Sequence, residues 1–114
     1  MPHLLFVYGM LRRGERGAPP DLARRLAEGS THLGDATVHG RLIDLQGFQA
    51  LQTGGTARVP GELLHVRDAT LWDALDAYEG VGEAGWYQRE LVVALDRDGQ
   101  PRSAWSYTAP GREP

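Results

Sequence analysis

The amino-acid sequence predicts an α+β domain built on a small mixed or antiparallel sheet that closes toward a barrel. Segments with the alternating hydrophobic pattern of β-strands occur about six times, whereas amphipathic helical periodicity occurs only twice. The strands do not alternate regularly with helices, which argues against a doubly wound parallel sheet. With 114 residues, the chain is expected to form a single domain over residues 1–114.

Four strands and one helix are predicted before the second helix. The apolar run at residues 3–8 is typical of a buried strand. Asp21 can cap a helix that extends to about residue 28, places Leu22 and Leu26 on its inward face and ends at Gly29. Beyond this helix the hydrophobic period becomes two. The other strands comprise residues 36–43, 48–51 and 58–66, with a bend at Gly40, a turn at residues 53–55 and an edge or bulge at Pro60 and Gly61.

A second helix and two paired strands complete the predicted fold. Residues 68–80 have helical spacing and end on a glycine. Residues 86–95 form a long alternating strand, and residues 102–108 return beside it across a hairpin turn at residues 98–99. The glycine-rich residues 81–85 are either a plain connection or a lid over a site.

One side chain of the second helix is unusual for its position. Glu79 falls at helical spacing with apolar side chains, so its carboxylate is predicted to lie on the inward face. These apolar side chains are Leu71, Trp72, Leu75 and Tyr78. Burial and the negative C-terminal end of a helix both raise the pKa of a carboxyl group, toward the range of a proton-transfer group. Glu79 is therefore the candidate general base, and the alternative is a solvated glutamate before a capping glycine.

The composition excludes several classes of chemistry. The chain has no cysteine, lysine or asparagine, so disulfides, thiol nucleophiles, thiolate metal sites and Schiff-base lysines are absent. No serine lies in a GxSxG turn, which argues against a serine hydrolase. The four histidines lack the spacing of metal ligands, so no metal site is expected.

Charge and hydropathy give no sign of a nucleic-acid or membrane partner. The net charge of −3 and the pI of about 5.7 give no electrostatic reason to expect binding to nucleic acid or to an anionic membrane. The apolar run at residues 4–8 is too short for a membrane span or a signal-peptide core. A cytoplasmic location is therefore expected.

Five short blocks occur in order over nearly the whole chain. They are FVYGMLRRG at residues 6–14, LIDLQGFQAL at 42–51, VPGELLHV at 59–66, LDAYEG at 75–80 and WYQR at 86–89. Together these blocks resemble the γ-glutamylcyclotransferase-like family, which includes the AIG2-like proteins. The resemblance implies a small barrel-like α+β fold and conversion of a small γ-glutamyl substrate to 5-oxoproline with release of its amine.

The resemblance also implies roles for individual residues. Glu79 is similar to the family's acid/base glutamate, and Tyr87 is similar to a tyrosine that lines the substrate pocket. The substrate-holding loop of the family is matched by Tyr8, Gly9, Met10 and Leu11. No metal or organic cofactor is implied.

Two positions depart from the family's pattern. Met10 stands where the family usually carries Ser or Thr, so a hydroxyl contact is missing there, although the backbone N–H remains. Residues 17–19, Gly-Ala-Pro, replace the Asn or His that many members have, and this difference is expected to alter the pocket.

The resemblance leads to one main functional hypothesis and two alternatives. The main hypothesis is a cofactor-independent cyclotransferase, in which the substrate's α-amine attacks its own γ-carbonyl. This reaction needs an anchor, which backbone N–H groups around Gly9 can supply, and a proton acceptor, which Glu79 can supply. The first alternative is a non-catalytic module that binds a small ligand or a protein. The second is an amide hydrolase that uses water as nucleophile.

Overall fold

A computed structural model describes residues 3–8, 20–45, 48–79, 81 and 87–109 of the chain. Within these residues there are five β-strands and two α-helices. In chain order they are β1 (Leu4–Val7), α1 (Pro20–Gly29), β2 (Ser30–Leu45), β3 (Phe48–Val66), α2 (Leu71–Glu79), β4 (Gln88–Asp96) and β5 (Pro101–Thr108). The predicted α+β class with a barrel-like sheet is confirmed, whereas the predicted number of strands is one too high.

The five strands form a closed mixed barrel in the order β1-β3-β2-β4-β5. The successive neighbours are antiparallel, and the ring closes where Leu5 of β1 pairs in parallel with Trp105 of β5. A second parallel contact joins Leu51 of β3 to Thr108 of β5. Beside it, the amide of Ala109 donates to the carbonyl of Leu51 at 2.8 Å. The last residues of β5 are therefore held between β1 and β3.

The additional predicted strand arises from a bulge in β3. The sequence predicts two strands separated by a turn at residues 53–55, but β3 continues through this segment. The register between β2 and β3 shifts between His39 and Gly40, so residues 54–57 have no partner in β2. Two glycines in the bulge have φ angles of 112° and 81°, which side-chain-bearing residues rarely adopt. The glycines therefore form a bulge within one strand rather than a turn between two.

Two hydrophobic clusters stabilise the part of the fold that the structure describes. One contains side chains from all five strands and none from the helices, so it fills the barrel; Phe6, Leu51 and Leu63 are almost completely buried there. The other combines the alternate side chains of the strands with the inward faces of α1 and α2. It contains Leu22 and Leu26, as predicted. Both helices consequently pack against the outer wall of the barrel.

The helix α2 begins and ends with identifiable hydrogen bonds. Asp68 caps the start of the helix. The Asp68 carboxylate accepts from the backbone N–H of Thr70 at 3.0 Å and from the Thr70 hydroxyl at 2.7 Å. At the other end, the amide of Val81 donates to the carbonyl of Asp76 at 3.0 Å. The helix therefore ends at Glu79, as the sequence predicts. Neither described helix is both long and apolar enough to cross a membrane.

The β4–β5 hairpin turns where the sequence predicts. Gly99 has a φ of 80°, and its amide donates to the carbonyl of Asp96 at 2.8 Å. The Asp96 carboxylate also accepts from the amides of Asp98 and Gln100, both at 2.9 Å. These hydrogen bonds lower the pKa of Asp96, with the Gln100 amide as the largest cause. The hairpin thus sets the pairing of β4 with β5.

Candidate active site

Glu79 is the last residue of α2, and the helix holds its side chain partly out of water. Leu75 and Leu71, one and two turns earlier, are completely buried and anchor α2 on the barrel. The Glu79 side chain is half-buried as a result. Burial raises the pKa of its carboxyl group from 4.5 to about 7. At neutral pH the group is therefore present in both its protonated and its ionised form.

The chain has four tyrosines, and the charge of Glu79 affects the pKa of every one of them. They are Tyr8 after β1, Tyr78 on α2, Tyr87 before β4 and Tyr107 on β5. Burial is the largest cause of the raised pKa of each phenol, and the negative charge of Glu79 raises each pKa further. The pKa of Tyr87 rises to about 12. All four phenols therefore keep their protons at neutral pH, whereas the carboxyl group of Glu79 titrates near it.

Three of these hydroxyl groups donate to acceptors other than Glu79. Tyr8 donates to the carbonyl of Tyr107, Tyr87 donates to the carbonyl of Gln49, and Tyr107 donates to Oδ1 of Asp76 at 2.7 Å. Within the described residues no hydrogen bond to the Glu79 carboxylate is formed, and burial acts on its pKa unopposed.

Tyr8 and Tyr87, the two tyrosines predicted for the site, are both within range of the charge of Glu79. The hydroxyl of Tyr8 also accepts from the amide of Leu51 at 2.8 Å, so it connects β1 with β3 and β5. Tyr87 packs on the cluster between α2 and the barrel, and its hydroxyl contacts the start of β3 at Gln49. The substrate-binding roles assigned to these two tyrosines stay predictions.

The other predicted site residues are outside the part of the chain that the structure describes. They are Gly9, Met10 and Leu11. Of the predicted lid at residues 81–85, only Val81 is described, and it packs against the same cluster as Tyr87. Among the described residues, no group of three or more His, Asp or Glu side chains is placed to hold a metal ion.

Two polar residues next to the site were not singled out from the sequence. Asp76 lies three positions before Glu79 on α2, and its Oδ1 is 3.4 Å from Nε of Arg89 on β4. The guanidinium carbon of Arg89 is 5.1 Å from the ring of Trp72 and 5.2 Å from that of Trp105. Asp76 and Arg89 belong to the LDAYEG and WYQR blocks. No sequence spacing predicts their contact, because it depends on how β4 packs beside α2.

Comparison with known proteins agrees with this fold. The family model described as γ-glutamyl cyclotransferase, AIG2-like, matches residues 5–114. The chain therefore belongs to the AIG2-like γ-glutamyl cyclotransferase family. No curated protein matches the sequence.

Solved structures share the fold at low sequence identity. An AIG2-like protein of Mus musculus has a TM-score of 0.77 at 22% identity, covering 98% of this chain and 80% of that one. The protein YkqA of Bacillus subtilis has a TM-score of 0.71 at 24% identity, covering 96% of this chain and 36% of that one. A structure named γ-glutamyl cyclotransferase has a TM-score of 0.68 at 16% identity, covering 97% and 68%. At these identities the similarity concerns the fold.

Proposed function

We propose that the protein is a γ-glutamyl cyclotransferase that acts on a γ-glutamyl amine or a γ-glutamyl amino acid. It forms 5-oxoproline and releases the amine, with Glu79 as general acid and base. The observation that supports this function is the half-buried carboxylate of Glu79. Its pKa is about 7, and no described residue forms a hydrogen bond to it. Family membership supports the class of substrate.

In this mechanism Glu79 moves one proton in two steps. The α-amine of the substrate is largely protonated at neutral pH, and the Glu79 carboxylate accepts a proton from it. The freed nitrogen attacks the γ-carbonyl carbon, and a five-membered ring forms with a negative charge on the carbonyl oxygen. The protonated Glu79 then donates to the leaving nitrogen, the carbonyl re-forms as the bond between that nitrogen and the carbonyl carbon breaks, and the carboxylate is regenerated. The ring nitrogen still carries two protons after its attack, and it releases one of them to solvent or to the departing amine. A pKa near 7 suits both transfers.

The surrounding phenols are compatible with this role because they do not compete with Glu79 as bases. Tyr8 and Tyr107 are nearly completely buried, and their pKa values lie far above neutrality. They therefore do not compete for the substrate's proton. From the sequence, Gly9 and the two residues after it are the proposed anchor for the substrate's α-carboxylate, through backbone N–H groups.

The proposal can be tested with purified protein and a panel of γ-glutamyl amines and amino acids. Release of 5-oxoproline is measured by mass spectrometry. Glu79→Gln, which keeps the shape of the side chain but cannot accept the proton, should lower kcat by about 100-fold or more. Glu28→Gln is the matched control, because it makes the same chemical change at an exposed position on α1.

Three outcomes would contradict the proposal in different ways. Full turnover by the Glu79→Gln variant would remove Glu79 from the mechanism. Thermal stabilisation by γ-glutamyl compounds without any product would indicate a non-catalytic binding module. Free glutamate in place of 5-oxoproline would indicate an amide hydrolase that uses water as the nucleophile.

A further inference from the structure

We propose that Asp76, held by Arg89 and Tyr107, positions Glu79 for proton transfer, and that these three side chains act as one unit, the Asp76 clamp. The positioning role rests on the proposed function of Glu79. None of the three residues is expected to touch the substrate's reacting atoms. Their effect on the reaction passes through the placement of Glu79.

Asp76 joins α2 to two strands at the turn of the helix that carries Glu79. Residues three positions apart on a helix are neighbours on its surface, so Asp76 and Glu79 belong to the same turn. The Asp76 carboxylate accepts from the hydroxyl of Tyr107 on β5 at 2.7 Å and lies 3.4 Å from Nε of Arg89 on β4. Among the described residues, Asp76 forms the only side-chain hydrogen bond between α2 and the barrel.

The backbone of Asp76 holds the same turn from its other end. Its carbonyl accepts from the amide of Val81 at 3.0 Å, and this bond encloses Glu79. A bond over five positions is of the kind that closes the C-terminal end of a helix. Two kinds of contact therefore hold the turn that carries Glu79. The Asp76 side chain joins this turn to β4 and β5, and the Asp76 carbonyl joins it to Val81. The last turn of α2 cannot rotate without breaking one of them.

Arg89 is itself fixed by two indole rings. Its guanidinium carbon lies 5.1 Å from the ring of Trp72 on α2 and 5.2 Å from that of Trp105 on β5. Trp72 is one turn before Asp76, so Arg89 contacts α2 at two successive turns. A planar guanidinium can stack on both rings while it faces the carboxylate, whereas the ammonium group of a lysine cannot. The identity of Arg89 as arginine is therefore part of the clamp.

Tyr107 links the clamp to the other tyrosines around Glu79. The residue is almost completely buried, and its carbonyl accepts from the hydroxyl of Tyr8. Loss of its hydroxyl leaves the ring in place but frees Asp76 from β5. Since a displacement of about 1 Å can lower a rate by about 100-fold, even a partial loosening of this turn should reduce kcat.

Two variants and one control test the clamp. Tyr107→Phe removes only a hydroxyl, and Arg89→Gln removes the stacked cation. We expect each to lower kcat by about tenfold or more with KM changed by less than about twofold, because the displaced group is the general base Glu79 and not the proposed anchor of the substrate's α-carboxylate. The control is Arg102→Gln, because Arg102 lies on β5 and pairs with Asp96 of β4 at 3.5 Å, at the hairpin end. It should leave both constants unchanged.

The pKa of Glu79, measured by carboxyl ¹³C NMR, separates positioning from a simple effect of charge. Burial raises the pKa of Glu79 to about 7, and removal of a positive charge such as that of Arg89 can by itself only raise the pKa of a carboxyl group further. Loosening of α2 would expose the carboxylate and lower the pKa toward 4.5, its ordinary value. Tyr107→Phe changes no charge. We expect the pKa to fall in both variants and to stay unchanged in Arg102→Gln.

An unchanged or raised pKa of Glu79 in both variants would overturn the positioning role. A loss of activity that matches the loss of folded protein, with kcat per folded molecule unchanged, would overturn it as well. If Arg89→Gln does not fold, Arg89→Lys keeps the charge and should show the same fall in pKa. The titration needs no turnover, so it still decides the role of the clamp if wild-type protein releases no 5-oxoproline and the proposed function fails.

Discussion

Replacement of Glu79 by glutamine should stabilise the protein at alkaline pH, even though it removes the proposed general base. Burial raises the pKa of the carboxyl group from 4.5 to about 7, so the folded state disfavours the ionised form. Glutamine occupies nearly the same volume and carries no charge. The variant should therefore gain stability at the pH values where wild-type Glu79 is ionised.

The size and sign of this effect follow from the two pKa values. Below pH 4.5 the carboxyl group is protonated in both the folded and the unfolded state, and it contributes nothing. Between pH 4.5 and 7 the unfolded state releases its proton first, so the folded state loses stability as the pH rises. The full difference is about 3 kcal/mol at 1.36 kcal/mol per pKa unit. Because the side chain is only half-buried, solvent screening should reduce it to about 1–2 kcal/mol.

Urea unfolding, followed by tryptophan fluorescence at pH 4 and at pH 8.5, measures this difference. The free energy of unfolding of Glu79→Gln, relative to wild type, should be about 1–2 kcal/mol higher at pH 8.5 than at pH 4. Glu28→Gln, the exposed control, corrects for the loss of one negative charge. If the Glu79→Gln advantage is the same at both pH values, Glu79 is not desolvated in the folded state, and the physical basis of its role as base is lost.

Two further predictions concern the framework around the site. Tyr8→Phe leaves the buried amide of Leu51 without its acceptor at 2.8 Å, and urea denaturation should show a loss of about 1–3 kcal/mol; an unchanged midpoint would mean that another acceptor replaces the hydroxyl. Gly61→Ala would place a Cβ 2.3 Å from the carbonyl oxygen of Val7, so it should cost about 3 kcal/mol or more, or prevent folding. Gly54→Ala meets no atom within 4 Å but has a φ of 112°, so thermal melts should show a smaller loss of about 1–2 kcal/mol. Equal losses of stability in the two glycine variants would contradict this close approach of the Val7 carbonyl on β1 to Gly61 on β3.

Much of the fold follows from patterns that are local in the sequence. Helical spacing predicts α2 and the inward position of Glu79, and it predicts the buried face of α1 with Leu22 and Leu26. The Asp-Gly pair predicts the β4–β5 hairpin, where Gly99 has a positive φ. These features depend on neighbouring residues, because a helix, a cap or a tight turn is stabilised by contacts over a few positions.

The continuity of β3 could not be predicted in the same way. The two glycines at positions 54 and 55 are typical of a turn, and only the pairing of both flanking segments with the long strand β2 makes the segment one strand. Whether a glycine pair ends a strand or forms a bulge in it depends on the partner strand. That partner is not encoded in the local pattern.

For the candidate site, the sequence by itself determined the anomalous carboxylate at the end of α2 and, through ordered blocks, the family to which the chain belongs. Tertiary structure alone decided what surrounds that carboxylate. The barrel brings together Tyr8 after β1, Tyr87 before β4 and Tyr107 on β5, which lie up to about a hundred residues apart in the chain. The burial of a side chain, and the raised pKa that follows from it, depend on the residues packed around it. They therefore arise only when α2 packs against the barrel.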